Sequence, residues 1–338
     1  MRADLQGSPV YKAPDSQYLN LANNENFNLA WLDVIGNQMD DIVKGVPFHQ
    51  YGLTTYEQLT AKYAAYLGVP PEQVLAAPGS DSLIPYLIST LSTQTVVTFE
   101  VDFFRYGQFA KTFQRTHIRV PNAAGVDGLI EACKAHNAEL VMLSSPNNPL
   151  GVAQERDALV KLLDSVNAYV VIDEAYAEYH GESLVDLIGA YPKLLIMRTL
   201  SKGWGLARLR VGFLVANEDL IQYISAVRGP FLLSDLNANI AAAVLEHPDL
   251  MRESVQKTIA TREKFKTFLQ GYAVKIYPSG ANFVHIEVPD PKAVAAGVLE
   301  DGMAIAVMGA KGLRITIGTD AQMADLQNSL AKYLPQAE

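Results

Sequence analysis

Six short runs of apolar, mostly β-branched residues recur in the middle of this chain, separated by stretches with helical spacing. The runs are VLAA (74–77), TVVTF (95–99), LVMLS (140–144), YVVID (169–173), LLIMRT (194–199) and VGFLV (211–215). A strand without polar alternation is buried on both faces, which is typical of a mostly parallel sheet covered by helices. The sequence therefore predicts an α/β fold.

The segments on either side of this region have a different character. The first 45 residues are dense in Asn and Asp and show little periodicity, which predicts an irregular N-terminal arm (1–45). A helix over 54–67 follows it. After Phe231 two helical stretches precede NFVHIEV (282–288) and LRITIG (313–318), which alternate with a two-residue period. This pattern is typical of an α+β domain. We therefore predict a large domain (46–230) and a small C-terminal domain (231–338).

Composition excludes several classes of protein. With 338 residues, 49% of them hydrophobic and 19% charged, the chain has a globular balance. Twenty-seven basic and 36 acidic residues give a net charge of −9, which disfavours a general nucleic-acid or anionic-membrane binder. Cys133 is the single cysteine, so no internal disulfide or CxxC pair exists. The N-terminus lacks an apolar signal segment, and no apolar run reaches membrane-spanning length. We expect a cytoplasmic protein.

Polar residues follow most of the predicted strands. The sequences at these points are PGSDS (78–82), SPNNPLG (145–151), DEAY (173–176) and SK (201–202), and Arg210 comes eight residues after the last of them. In open α/β sheets ligands bind at the carboxyl ends of the strands. We therefore expect these groups to line one site.

Lys202 is the candidate nucleophile of this site. The alternative is a solvated surface lysine, which most lysines are. Here, however, Lys202 immediately follows an apolar run, and its small neighbours Ser201, Gly203 and Gly205 leave room for a bulky group. A lysine at a buried strand end should have a lowered pKa, which a Schiff-base lysine requires.

Asp173 ends a buried run, so its carboxylate needs a partner. That partner is either a structural cap or salt bridge, or a cation such as a protonated pyridine nitrogen.

An anion site is predicted where a helix begins after the first strand. Ser80 and Asp81 could offer free backbone N–H groups there, although both residue types are also ordinary helix caps. Arg210 and Ser201 could complete a phosphate cup. GWGLAR (203–208) lacks the third glycine of a dinucleotide loop, and no P-loop, HExxH, GxSxG or EF-hand pattern occurs. No metal site is therefore predicted.

The order of these pieces resembles the fold-type-I pyridoxal-phosphate (PLP) enzymes, and within them the histidinol-phosphate aminotransferase branch of the class I and II aminotransferases. The resemblance extends from NNEN (23–26) to RITIG (314–318). It implies an aspartate-aminotransferase-like fold whose large domain has a mostly parallel seven-stranded sheet. It also implies PLP as cofactor, and amino transfer from an L-amino acid or related amine to a 2-oxo acid.

The resemblance assigns roles at the cofactor ring. Lys202 matches the lysine that binds PLP covalently, and Asp173 matches the carboxylate that pairs with the ring nitrogen. Tyr176 and Asn148 match the groups that bond the 3-oxygen of the ring. Phe103 falls where an aromatic side chain stacks on the ring.

The resemblance also assigns the phosphate, the dimer and the substrate. The phosphate contacts are Ser80, Asp81, Ser201 and Arg210. Tyr51 falls where a tyrosine reaches the phosphate of the neighbouring subunit, which implies a homodimer. Arg314 matches the arginine that clamps the substrate α-carboxylate, and the expected substrate-pocket residues beside it are Asn24 and Asn282.

Three places depart from the family pattern. The arm usually reads Asn-Glu-Asn-Pro followed by an aromatic, whereas 24–28 reads NENFN. The stacking loop usually begins Pro-Thr-Tyr, whereas 101–103 reads VDF. Met308 stands where a second arginine usually precedes Arg314. The arm aromatic and that arginine help to hold the distal phosphate, so their loss argues against histidinol phosphate as the substrate. Lys311 or Arg105 could substitute.

Two other functions stay open at this point. One is a PLP-dependent decarboxylase or lyase of the threonine-phosphate decarboxylase type, because the sequence does not determine which bond at the substrate Cα breaks. The other is a non-catalytic ligand-binding module on the same fold. Lys202, Asp173 and Arg210 together speak against that module.

Overall fold

A computed structural model describes residues 17–52 and 54–337, so 1–16 of the predicted arm and the last residue lie outside the described part. The helices are α1 (Trp31–Ile35), α2 (Met39–Lys44), α3 (Thr54–Leu67), α4 (Ile84–Leu91), α5 (Arg105–Thr112), α6 (Gly125–Ala135), α7 (Arg156–Ser165), α8 (Ala177–His180), α9 (Glu218–Val227), α10 (Asp235–Val244), α11 (Pro248–Leu269), α12 (Pro291–Glu300) and α13 (Asp320–Leu330).

The strands are short and group into three sheets. They are β1 (Leu19–Asn20), β2 (Val74–Ala77), β3 (Thr95–Phe99), β4 (Thr116–Val120), β5 (Leu140–Ser144), β6 (Tyr169–Asp173), β7 (Leu194–Thr199), β8 (Gly212–Ala216), β9 (Lys275–Ile276), β10 (Phe283–Glu287), β11 (Met303–Ala304), β12 (Ala306–Met308) and β13 (Gly312–Thr316).

The central sheet has seven strands in the order β2-β8-β7-β6-β5-β3-β4. All neighbours are parallel except β8, which runs antiparallel to β2 and β7. All six predicted runs form strands, and the α/β prediction is confirmed. The seventh strand, β4, was not recognised, because it lies at the edge and only Val120 of its five residues is fully buried.

Helices cover both faces of this sheet. Val170 and Ile172 of β6 pack in one hydrophobic cluster with residues of α3, α6, α7 and α10. Val171, between them in sequence, packs in the opposite cluster with α4, α5 and α9. Successive strand residues point to opposite faces, so an uninterrupted apolar run fills both cores. Each such side chain contributes ~1.5–3 kcal/mol when fully buried.

The C-terminal part forms an antiparallel sheet in the order β12-β13-β10-β9. Its apolar face packs in a third cluster with residues of α11, α12 and α13. The arm joins this part through β1, which pairs in parallel with β11. The arm is therefore held at the C-terminal part, although it precedes the central sheet in sequence.

The composition of the arm predicts an irregular segment, but its described part contains two short helices, α1 and α2. In α1, Trp31 and Ile35 are four residues apart and are both buried. The Trp31 ring stacks on Trp204 with 6.4 Å between the ring centroids. A helix this short is stabilised by packing rather than by its own hydrogen bonds.

Helix α10 lies within the predicted small domain but packs against α3. Ala238 and Ala241 belong to the same hydrophobic cluster as Leu59 and Tyr63 of α3. The division into arm, large domain and small domain stays a prediction. On packing grounds we propose that the large domain extends to the end of α10. Among residues 17–52 and 54–337, no helix is long and apolar enough to cross a membrane.

Candidate active site

A cavity of about 730 Å³ opens at the carboxyl edge of the central sheet. Most of the residues predicted for the site line it together, from the arm, the carboxyl ends of five strands (β2, β3, β5, β6 and β7), the start of β8, and β13. They are Asn24, Ser80, Asp81, Phe103, Asn148, Asp173, Tyr176, Ser201, Lys202, Arg210 and Arg314. The sheet therefore gathers groups that are up to 290 positions apart in the sequence.

Lys202 lies just beyond the end of β7 and reaches back toward the arm. Its Nζ donates hydrogen bonds to the carbonyl oxygens of Asn23, at 2.8 Å, and Asn24, at 3.0 Å. Burial lowers the pKa of Lys202 to about 7, and the nearby cations Arg314 and Arg210 act in the same direction. An appreciable fraction of this amine is thus neutral and nucleophilic near pH 7.

Asp173 is the last residue of β6 and is only 6% exposed. The Tyr106 hydroxyl donates to its Oδ2 at 2.9 Å, and the Ala175 backbone N–H donates to its Oδ1 at 3.1 Å. Burial raises the pKa of Asp173 to about 6. Both hydrogen-bond partners are neutral, so a cation placed beside this carboxylate would be strongly stabilised.

Tyr176 follows β6 and points into the cavity from a buried position. Its hydroxyl oxygen accepts a hydrogen bond from Asn24 Nδ2 at 2.8 Å. Asn24 is held in turn by its backbone N–H, which donates to Thr316 Oγ1 at 2.9 Å. Asn24 adopts a positive φ of 56°, a conformation that Asn tolerates better than most residues.

The residues predicted for the phosphate cup lie together where β2 ends and β8 begins. Arg210 donates to Asp81 Oδ1 at 2.6 Å and lies 3.5 Å from Ser201 Oγ. Gly212 lets the two segments approach, since a Cβ there would lie 2.2 Å from the Ser80 backbone nitrogen. Backbone N–H groups at a turn start and a guanidinium form an anion-binding concavity.

Arg314 of β13 and Asn148 also line the cavity. The Arg314 guanidinium donates to Asn148 Oδ1 and, at 2.6 Å, to the carbonyl oxygen of Ala22. Phe103 is partly buried and lies edge-on to Tyr106, with ring centroids 5.7 Å apart. A planar guanidinium beside an amide at a cavity wall suits a carboxylate.

Two predicted site residues do not line the cavity. Asn282 is fully buried behind it, and its amide donates to the carbonyl oxygens of Asn24 and Glu25 at 3.0 and 3.2 Å. It supports the arm instead of facing a substrate. Tyr51 is 78% exposed and stacks on Phe231 outside the cavity.

The structure adds cavity residues that the sequence reasoning had not assigned. Asp102 lines the cavity beside Phe103, and Ser144 lies at the end of β5. The nearest signal for Asp102 was the departure VDF from the family pattern. Met308 also lines the cavity, together with Ile305 and others, whereas the alternative cations Lys311 and Arg105 are absent from its lining.

Comparisons with known proteins agree with this geometry. The family model described as "Aminotransferase class I and II" matches residues 16–330. The histidinol-phosphate aminotransferase of Clostridium kluyveri is 32% identical over an alignment of 353 positions that covers 98% of each chain. That of Thermococcus kodakarensis is 34% identical over 281 residues, with 82% of this chain and 81% of the relative covered.

Among solved structures, the histidinol-phosphate aminotransferase from Sinorhizobium meliloti in complex with pyridoxal-5'-phosphate has a TM-score of 0.86 at 22% identity. The match covers 98% of this chain and 96% of that one. At this identity the similarity shows a shared fold.

Proposed function

Because the chain belongs to the class I and II aminotransferases, and is therefore a PLP-dependent transaminase, we propose that its cavity residues move an amino group from an L-amino acid to a 2-oxo acid. One observation supports the roles that we assign to Lys202, Asp173 and Arg210. A lysine whose pKa is lowered to about 7 and a buried carboxylate whose pKa is raised to about 6 line one cavity, beside a cationic cup.

The donor set of the cavity fits PLP. We assign the phosphate to Arg210, Ser201 and the turn that begins at Ser80, and the ring nitrogen to Asp173. When bound, PLP supplies an electron sink for the negative charge that develops at the substrate Cα. Asp173 supports this role by holding a proton on the ring nitrogen, because a nearby carboxylate raises the pKa of that nitrogen.

Lys202 performs the proton chemistry in this assignment. Its Nζ would hold the cofactor, and as a neutral amine it would move the proton of the substrate Cα. The carbonyl oxygens of Asn23 and Asn24 aim this nitrogen at 2.8 and 3.0 Å. A lowered pKa suits the task because a base works best with a pKa near the operating pH.

A single-turnover experiment tests this function against the decarboxylase alternative. An amino donor added without acceptor should release its 2-oxo acid in an amount stoichiometric with the enzyme, because the second half-reaction lacks its substrate. Release of carbon dioxide in excess over the enzyme would establish the decarboxylase instead.

We further propose that the natural donor has an uncharged side chain and is not histidinol phosphate. The cavity wall beside Arg314 is formed by Ile305, Val307 and Met308. Among residues 17–52 and 54–337, three cationic side chains line the cavity. Each already has a role in this assignment, Lys202 and Arg210 toward the cofactor and Arg314 toward the α-carboxylate. A dianionic distal phosphate would therefore face apolar carbon, which is unfavourable.

Met308→Arg should consequently raise kcat/KM for histidinol phosphate by at least about tenfold, the value of one charge-assisted hydrogen bond. Steady-state kinetics with a panel of amino donors measures this. Met308→Leu preserves the apolar wall and should leave the donor ranking unchanged. The proposal is wrong if the unmodified enzyme already prefers histidinol phosphate to every amino acid.

We also propose a homodimer in which Tyr51 reaches the phosphate cup of the partner subunit. Tyr51 and Phe48 are 78% and 73% exposed, and Phe231 stacks on Tyr51 with 4.2 Å between ring centroids. Exposed aromatic side chains grouped in this way are typical of an interface. In the monomer Tyr51 does not line the cavity of its own chain.

Mixing two inactive or weakened variants tests the placement of Tyr51. Tyr51→Ala alone should weaken PLP binding about tenfold, by loss of a hydrogen bond to a charged group. A heterodimer of Tyr51→Ala and Lys202→Ala subunits should regain one intact site, which is measurable as tight PLP binding and activity. If subunit exchange restores neither, Tyr51 does not act across the interface. Tyr51→Phe isolates the hydroxyl because it keeps the ring.

A further inference from the structure

We propose that Asp102 is a positioning residue for the substrate-binding end of the site. It acts through a chain of hydrogen bonds that runs through Ser144 and Asn148 to Arg314. This inference rests on the function proposed above, since it takes Asn148 and Arg314 as groups that hold cofactor and substrate.

The carboxylate of Asp102 is anchored between two loops of the cavity. Asp102 lies in the loop that follows β3, next to Phe103, whose backbone N–H donates to Oδ1 at 2.7 Å. Ser144, at the end of β5, donates its backbone N–H to Oδ2 at 3.2 Å and its hydroxyl to Oδ1. Both carboxylate oxygens are therefore hydrogen-bond acceptors.

The direction of the chain follows from the number of protons available. Ser144 Oγ accepts a hydrogen bond from the Asn148 backbone N–H at 3.1 Å. A hydroxyl has a single proton, so that proton goes to Asp102. Asn148 Oδ1 accepts from Arg314 at the other end. Asp102 is thus the last acceptor in this series of hydrogen bonds. An ionised carboxylate suits this position because it accepts hydrogen bonds and has no proton to donate.

A second contact joins the same loops independently of the carboxylate. Asn147 Nδ2 donates to the carbonyl oxygen of Val101 at 3.1 Å. Loss of the Asp102 charge should therefore misalign Asn148 without releasing the loop. A small displacement of a group that orients a substrate is enough to weaken binding.

The charge of Asp102 is sensitive to pH. Burial raises the pKa of Asp102 to about 7, and the nearby charge of Asp173 adds to this. The titratable and charged groups around it are Tyr106 on α5, Asp173 on β6 and, in the same cavity lining, Glu25, Asp81, Tyr176, Lys202, Arg210 and Arg314. The carboxylate is ionised above its pKa. The series of hydrogen bonds from Arg314 to Asp102 is therefore complete at higher pH, and it is interrupted at Asp102 as pH falls through about 7.

Binding of a donor analogue tests this inference on the full-length holoenzyme. The α-methyl analogue of the best amino donor has no Cα proton to lose, so its dissociation constant, read from the absorbance of the bound cofactor, reports binding alone. For the parent protein this constant should rise as pH falls below 7. Asp102→Asn should bind the analogue about tenfold more weakly above pH 7 and lose much of the pH dependence. An amide keeps only one acceptor oxygen, so its NH2 group must face the N–H of either Ser144 or Phe103, both of which donate to the carboxylate.

Ser144→Ala removes the hydroxyl that connects Asn148 to Asp102. Binding of the analogue should weaken as it does in Asp102→Asn. In both variants KM for the donor should rise about tenfold while kcat changes less. PLP affinity of the apo-protein, from quenching of its fluorescence, should change less than analogue affinity. Glu100→Gln removes an exposed carboxylate from the same loop and should behave as the parent.

The inference is overturned if Asp102→Asn keeps the parent's affinity and pH dependence. It is equally overturned if Ser144→Ala has no effect. Thermal unfolding of each apo-variant detects misfolding, and Ser144→Ala decides the matter if Asp102→Asn does not fold. If the parent itself neither binds PLP nor transfers amino groups, the proposed function has failed instead, which is a separate result.

Discussion

Replacing Lys202 with alanine is expected to reduce amino transfer by about 10⁴-fold, the upper end of what a positioned acid–base group contributes. The variant should still bind PLP, because Arg210, Ser201 and Asp173 are untouched. The visible absorbance band of the lysine-bound cofactor should be lost, and borohydride should no longer attach the cofactor to the protein.

Lys202→Ala should also change how stability depends on pH. The pKa of Lys202 falls to about 7 in the folded protein, against ~10.4 in an unfolded chain. The unfolded chain binds the extra proton between these values, so this group makes the apo-protein more stable as pH rises from 7 to 10. The alanine variant should lack that rise in urea-unfolding experiments. Retained activity, or an unchanged pH profile, would contradict the assignment.

Asp173→Asn is expected to lower kcat/KM by about 10³-fold, as for loss of a preorganised electrostatic contact. The amide carries no negative charge, so it cannot hold the proton on the ring nitrogen. Tyr106→Phe is the matched comparison, because it removes the neutral 2.9 Å hydrogen bond to Asp173 but keeps its charge. Its effect on kcat/KM should be far smaller.

The apo-protein offers a second measurement on the same residue. Burial raises the pKa of Asp173 to about 6, above the ~3.9 of an unfolded chain. The folded chain therefore binds more protons between these values, and this group makes a contribution to stability on the order of 3 kcal/mol that is lost as pH rises from about 4 to 6. Asp173→Asn should remove that loss. If both proteins show the same slope, the carboxylate is not buried as described.

Much of this fold could be predicted because its strands are buried on both faces. An apolar run such as β6 leaves few alternatives to a parallel sheet, and its end then locates Asp173 at the sheet edge. The strand β4 could not be predicted, because it is not buried on both faces. An edge strand with Thr, His and Arg among its residues looks like any polar segment.

Other residues of the site could not be predicted, because their contacts leave no repeating pattern in the sequence. Tyr106 lies on one face of α5 and looks like an ordinary core residue, yet its hydroxyl reaches Asp173, 67 residues away. Asn282 was expected in the pocket, but the arm passes between it and the cavity. The path of the arm could not be predicted, because hydrogen bonds to backbone carbonyls leave no pattern in the side chains.

The pairing of β1 with β11 has a consequence for synthesis of the protein. Leu19 pairs with Met303, and Asn24 binds Thr316, 292 residues further along the chain. Such distant contacts form late, because the long intervening chain must be ordered first. On the ribosome the central sheet can form with Lys202 and Asp173 in place before Thr316 has emerged. The cavity is therefore complete only when residues 19–24 of the arm meet residues 303–316.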